Sequence, residues 1–296
     1  MPFLWVFVTV LATGLQVARN ALQRGMIGDA GPWGATLVRF LFGLPFSIVF
    51  TVACVALAWG KLHPNLSAAY WIDALTGAAT QVLATAALLV AMRRAGFAVG
   101  TTMQQSSLPL AAILGLVIFR DPLSPLAWAG IAVTTAGLVV LTWPRGATRT
   151  ALMSGAAFGL ASGVCFGFSL NAYRHAARLL EAAHPLFSAV ATVTVTQTAQ
   201  SLVLVGFLAW RHPWALRALA ADWRKSIAAG FFGASASAFW LLALALAPAA
   251  SVRAVAVIET PVAIMVGGRL FKERLSLSQW LAALLTAAGV VLTALN

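Results

Sequence analysis

The sequence is short of charge. Asp, Glu, Lys and Arg make up only 9% of its 296 residues, where soluble proteins carry about 25%. A chain this long cannot cover a water-facing surface with so few charges, which excludes a large soluble domain. Cysteine is also scarce: Cys54 and Cys165 both fall inside apolar runs, so neither a disulfide framework nor a thiolate metal site is expected, only inert thiols. The four histidines, His63, His175, His184 and His212, all lie at loops. There is no His-Glu-X-X-His, no Gly-X-Ser-X-Gly and no pair of acids inside an apolar run, so no enzyme, bound metal or cofactor is expected. A basic patch is missing too. The net charge of +12 is scattered over short loops, which argues against nucleic acid as a partner. The opening Met1-Pro2-Phe3-Leu4-Trp5 has no basic residues before its apolar run, which therefore reads as a retained helix, not a cleaved signal peptide.

What the sequence does have is apolar residues, 61% of the chain. Bounded by Gly, Pro and charges, they form ten candidate spans of about 20 residues each, the length that crosses a bilayer. These lie at roughly 3–24, 33–59, 67–93, 97–119, 124–143, 151–174, 185–210, 223–246, 249–271 and 275–295. Stretches such as Val49 to Leu57 do not alternate in polarity, so a porin-type barrel is excluded and the fold class is all-α membrane protein. Ten of the eleven tryptophans sit near span ends, as interfacial belts require, while Trp240 lies well inside the eighth span and either packs in the bundle or lines a cavity. Of the 19 Lys and Arg, only Lys61, Arg120, Arg174 and Arg178 fall on the face of the even-numbered loops, and Arg19, Arg39 and Arg253 lie within spans. The other twelve occupy the odd-numbered face, which makes that face cytoplasmic and places both termini outside.

The chain repeats itself. An offset of 152 residues pairs Arg120-Asp121-Pro122-Leu123-Ser124 with Lys272-Glu273-Arg274-Leu275-Ser276, Trp128 with Trp280, Thr134 with Thr286, Gly137 with Gly289 and Pro109 with Pro261. An offset of 149 sets Ala12-Thr13-Gly14-Leu15-Gln16 beside Ala161-Ser162-Gly163-Val164-Cys165. The halves, 1–146 and 147–296, each hold five spans. Five is odd, so the second half enters the membrane upside down, giving two inverted five-helix repeats about an axis in the membrane plane.

The run Glu259-Thr260-Pro261, Lys272-Glu273-Arg274-Leu275, Trp280 and Ala288-Gly289-Val290 resembles the end of an EamA repeat, and Pro109, Arg120 to Leu123, Trp128 and Ala136-Gly137-Leu138 resemble a second copy. Two such repeats in ten spans resemble the drug/metabolite transporter superfamily. The resemblance implies a bacterial inner-membrane carrier that works by alternating access, usually an exporter, and most closely the exporters of aromatic and general amino acids. Its partners would be a small solute and membrane lipid, with a monomer as the working unit. One departure is that Ser107 stands where the second half has Glu259, so the acid is unpaired.

Polar groups within the bilayer are costly unless they face protein or water, so each is a candidate for solute contact. Glu259 stands alone among the acids near the middle of a span. It reads either as a proton-coupling or ammonium-binding carboxylate, or as an anchor for Arg253 or Arg39 at the bend made by Pro261. Arg39 could hold a solute carboxylate bidentately or snorkel to the cytoplasmic interface. Thr9, Thr13, Gln16, Asn20 and Gln23 share one face of the first span. Gln81, the pair Gln104 and Gln105, and the pair Gln197 and Gln200 occupy the middles of the third, fourth and seventh spans. An amide both donates and accepts, so these glutamines, Gln16, Asn20 and Trp240 are the candidate lining of a polar cavity for a zwitterion, or else hydrogen-bonded glue between helices. The repeat-related Pro109 and Pro261 are candidate hinges. The runner-up function is a proton-coupled exporter of organic cations or drugs, for which a lone carboxylate and an aromatic would be the expected pair. A reporter that is active only in the periplasm, fused after Asn296, is expected to be active; activity of a cytoplasm-only reporter there would reverse the orientation.

Overall fold

The structure, a computed structural model, describes residues 3–58, 62–95, 104–142, 149–257 and 277–295. In chain order its helices are α1 (Leu4–Leu41), α2 (Leu44–Ala58), α3 (Ala68–Ala95), α4 (Ser107–Val117), α5 (Pro125–Thr142), α6 (Arg149–Leu180), α7 (Pro185–Arg211), α8 (Pro213–Ala221), α9 (Trp223–Leu246), α10 (Ala249–Ala256) and α11 (Leu277–Ala294). All regular structure among the described residues is helical. Five stretches are long and apolar enough to cross a membrane, and shorter apolar helices accompany them.

Proline decides where the helices break. It gives no N–H to the carbonyl four residues back, and its ring crowds that carbonyl. α1 runs through the first expected span and into the second, turning at Gly31–Pro32, where Gly31 takes φ 69°, a left-handed value that glycine adopts at little cost. The turn is sharp. Gln23 Nε2 reaches Ala35 O at 2.6 Å across twelve residues, which on a straight helix would lie about 18 Å apart. Pro45 stands four residues beyond the last residue of α1, Leu41. Pro109 stands four residues beyond Gln105, whose carbonyl instead accepts from Leu108 N at 3.0 Å. The expected second and fourth spans are therefore interrupted, not continuous, and Pro109 lies in the first turn of α4, not in mid-helix. The loop expected after the seventh span contains α8, which packs Ala215 and Leu219 against Met26, Ala30 and Leu208.

The long contacts pair α1 with α9, α3 with α6, and α5 with α11. Ser162 Oγ donates to Ala84 O at 2.8 Å and Ser169 Oγ to Gly77 O at 3.0 Å, joining α6 to α3. Asn171 Nδ2 donates to Ala111 O at 2.9 Å and joins α6 to α4. Where α5 meets α11, Gly130 faces Thr293, Thr134 faces Gly289, and Gly137 faces Thr286. One number rises as the other falls, so these two helices run antiparallel. Gly230 lies against the Phe42–Gly43 backbone, where a β-carbon would overlap main-chain atoms. Val49, Val52 and Leu57 on α2 and Leu202 and Val203 on α7 face outward as a lipid-contacting surface. Cys54 and Cys165 are unpaired and half-buried.

At one end of the bundle the loops after the second, fourth and sixth expected spans meet: His63 N donates to Glu181 Oε2 at 2.6 Å and Asn65 N to Leu180 O at 2.7 Å, while Arg174 reaches Asp121. The turn at Gly31 meets α8 at the other end, with Trp214 against Gly31. Replacing Gly230 by Ala should cost about 1–3 kcal/mol because backbone must shift. Replacing Gly206, which has open space, should change thermal unfolding in detergent hardly at all.

Candidate solute-binding cavity

Six helices converge on one narrow cavity. α1 contributes Gln16 and Arg39, α3 contributes Gln81, and the break before α4 contributes Gln104 and Ser107. Phe166, Ser169, Leu170 and Tyr173 come from α6, Ser237, Trp240, Leu241 and Leu244 from α9, and Arg253 from α10. The wall thus combines two guanidinium groups, three primary amides and four hydroxyls with an apolar and aromatic side. No carboxylate is among the described residues that line it.

A hydrogen-bond network fixes the polar side. Tyr173 Oη donates to Gln81 Oε1 at 3.0 Å, and Gln200 Nε2 donates to the same oxygen at 3.0 Å and to Ala78 O at 2.9 Å. Thr85 Oγ1 gives its proton to Gln81 O at 2.9 Å and accepts from Arg39 Nη1 at 3.2 Å. Arg39 Nη2 donates to Ser237 Oγ at 3.3 Å. Across the cavity, Arg253 Nε donates to Ser107 Oγ at 2.8 Å, and its Nη2 donates to Gln105 Oε1.

Of the candidates named from sequence, Gln16, Arg39, Gln81, Gln104 and Trp240 line this cavity. Gln105 and Gln200 stand behind it, the first holding Arg253 and the second holding Gln81. Asn20 does not line it; it lies about one turn beyond Gln16, and its Oδ1 accepts from Arg19 Nη2 at 2.7 Å. Gln197 is also elsewhere, buried beside Gly43 where α2 and α9 approach, with neither amide atom hydrogen-bonded. Glu259 and Pro261 lie outside the described residues. Arg39 does not snorkel: it is 2% exposed and directed into the bundle, because the break at Phe42–Gly43 and the small Gly233 surface bring α9 over it. Trp240 both lines the cavity and packs in the core. Tyr173 and Ser237 were not anticipated. Tyr173 is one of only two tyrosines in the chain and lies at the end of the sixth expected span, outside every polar stripe read from the sequence.

Comparison with known proteins now bears on this arrangement. Residues 153–295 match the EamA-like transporter family. The match falls within the second half of the chain and covers just under half of it. This agrees with the superfamily that the paired motifs resemble. A solved structure described as "Crystal structure of protein" is similar over 98% of this chain and 96% of its own, with a TM-score of 0.64 and 18% identity, so the likeness concerns the fold. No curated protein matches.

Beside Leu244, which lines the cavity, an ion pair joins the turn after α4 to α6. Arg120, at φ 54°, turns the chain so that Asp121 meets α6. Asp121 Oδ2 accepts from Arg174 Nε at 2.9 Å and lies 3.3 Å from His175 Nε2. Arg174 Nη1 donates to Leu244 O at 2.9 Å, the carbonyl that would otherwise pair with residue 248, a proline. Burial works to raise the Asp121 carboxyl, and His175 and Arg174 outweigh it, holding the group below the usual carboxylate value. With its titration depressed in the folded protein, Asp121 stabilises the fold above the ordinary carboxylate range, and that stability is lost as pH falls through it. In thermal unfolding, Asp121→Asn should lose about 1–3 kcal/mol at neutral pH, and its stability should decline less steeply than the wild type on acidification.

Proposed function

We propose that the protein is a secondary transporter that exports small metabolites, amino acids including aromatic ones, across the bacterial inner membrane by alternating access. The observation that carries this reading is the cavity itself. Amides, hydroxyls and guanidinium groups face Trp240, Leu241 and Leu244 across one space, which suits a solute with a polar head and an apolar side chain. Amides bind such a head without holding it too tightly to leave. The alternative, an exporter of organic cations, is disfavoured by two arginines on the wall with no carboxylate among the described lining residues.

Two inverted repeats, 1–146 and 147–296, account for the helix pairing. Exchanging the halves turns the contact of the first span with the eighth into that of the sixth with the third. It also turns the Gly137–Thr286 contact into Gly289–Thr134, around an antiparallel α5–α11 pair. A pseudo-symmetric bundle of this kind can open toward either side about a central site. In this reading the even-numbered loops face outward, and the Asp121–Arg174–Leu244 connection closes that side. Pro109 and Pro261 serve as hinges, Glu259 is the candidate for proton coupling, and the working unit is a monomer.

The test is counterflow of labelled amino acids into proteoliposomes preloaded with unlabelled solute, with empty liposomes as control. Accumulation of several amino acids is expected, with aromatic ones among them. No accumulation of any member of the panel would refute the amino acid reading. Glu259→Gln should abolish any dependence of that transport on a pH gradient.

A further inference from the structure

We infer that Arg39, the Gln81 amide and Ser237 form a carboxylate clamp, so that the transported solute is a small organic acid or zwitterion held by a free carboxylate. This rests on the transport reading above and adds to it the chemical group that the site recognises.

Arg39 is the starting point. Its guanidinium stays charged at any physiological pH, and a charge removed from water requires an opposite charge or a full set of hydrogen bonds. At 2% exposure Arg39 has left water, yet none of the four ion pairs among the described residues includes it. Its two hydrogen bonds go to neutral hydroxyls at 3.2 and 3.3 Å, and Nε has no partner. Arg174, by contrast, is matched by Asp121 at 2.9 Å. Arg39 Cζ lies over the Phe40 ring, 4.8 Å from the centroid, and Arg39 carries on a cavity wall a positive charge that no anion among the described residues matches.

The groups around it have been oriented as donors. Gln81 Oε1 is occupied by the Tyr173 hydroxyl and by Gln200 Nε2, so the atom Gln81 can offer to the cavity is Nε2, with its two protons. Ser237 Oγ accepts from Arg39, which leaves its own proton to give. Thr85 spends its proton on Gln81 O and can only accept from Arg39. A guanidinium, an amide N–H and a hydroxyl on one wall, with acceptors turned away, match a planar carboxylate with two oxygens. The neighbouring Trp240 and Leu241 suit an apolar remainder, which favours a carboxylate on an organic solute over inorganic phosphate. Tyr173 acts as a positioning residue: it fixes which way the Gln81 amide faces.

Ligand binding is read as a shift in thermal unfolding of the purified protein in detergent. The probes are L-tryptophan and indole-3-propionate, which carry a carboxylate, tryptophanamide and tryptamine, which do not, and inorganic phosphate. Both carboxylates should raise the unfolding temperature saturably, and the other three should bind at least about tenfold more weakly. Arg39→Gln should weaken carboxylate binding by about 10- to 100-fold without lowering the unfolding temperature of the ligand-free protein, because it removes an unmatched charge. Arg39→Lys should fall between the two. Tyr173→Phe should reduce the preference for tryptophan over its amide. Tryptophanamide or tryptamine binding as tightly as tryptophan, phosphate binding more tightly, no binding of either carboxylate, or unchanged discrimination in Arg39→Gln would each overturn the clamp. Carboxylate binding without any counterflow would refute the transport reading and leave the clamp standing. Counterflow of amides and amines as fast as acids would do the reverse.

Discussion

No water reaches the hydrocarbon core to pair with main-chain groups, so every backbone donor and acceptor there must be satisfied within the protein. The architecture follows from that requirement. Long helices satisfy it by themselves, and a proline inside a span violates it locally by leaving a carbonyl without its donor. The freed groups find other partners at defined places. Gln105 O takes Leu108 N, and Leu244 O takes Arg174. Irregular backbone at membrane depth survives only where protein or a cavity surrounds it, and these breaks flank the cavity. Gln104 and Ser107 lie beside one of them, Leu244 and Arg253 beside another.

The same requirement extends to side chains, and three of the four buried arginines among the described residues show different ways of meeting it. Arg174 is joined to a carboxylate and a carbonyl. Arg253 is held by an amide oxygen and a hydroxyl. Arg39 has two hydroxyls and the face of Phe40. The first two tie elements together: Arg174 links the turn after α4 to the end of α9, and Arg253 links α10 to the break before α4. An arginine without an anion destabilises the empty protein and gains most when a solute supplies one, so the charge balance of the bundle and its ligand chemistry are one question. Small residues make this possible, because Gly230, Gly233 and Gly43 allow α9 to approach α1 and α2 closely enough to bury Arg39.

Much was legible in the sequence because it depends on composition and spacing. A scarcity of charge excludes a soluble surface and several apolar runs have bilayer length, whereas the interruptions near Pro45 and Pro109 were missed, because an apolar run reads through a proline without a break. The polar face of the first span was readable from spacing: helix periodicity places Thr9, Thr13, Gln16, Asn20 and Gln23 on one side, and all five are buried. The glutamines were legible as a class, since amides are too costly in lipid to lie there without a partner. Which of them faces the solute was not. Gln81, Gln197 and Gln200 share a residue type and a similar depth, yet one lines the cavity, one stands behind it and one packs at a separate helix crossing.

Membership of a polar stripe is set by the 3.6-residue period within one helix, and the sequence alone determines it. So, too, is the helical class. The partner of each polar atom is set by how far apart two helices lie and how they are rotated, which depends on small residues distant in sequence. Only the tertiary structure could place Tyr173 on Gln81, 92 residues away, turn that amide outward as a donor, and withdraw Arg39 from the surface into the bundle, 198 residues from the serine it reaches. Hydrogen-bond direction is a property of the assembled network, and it decides whether the cavity wall offers donors or acceptors.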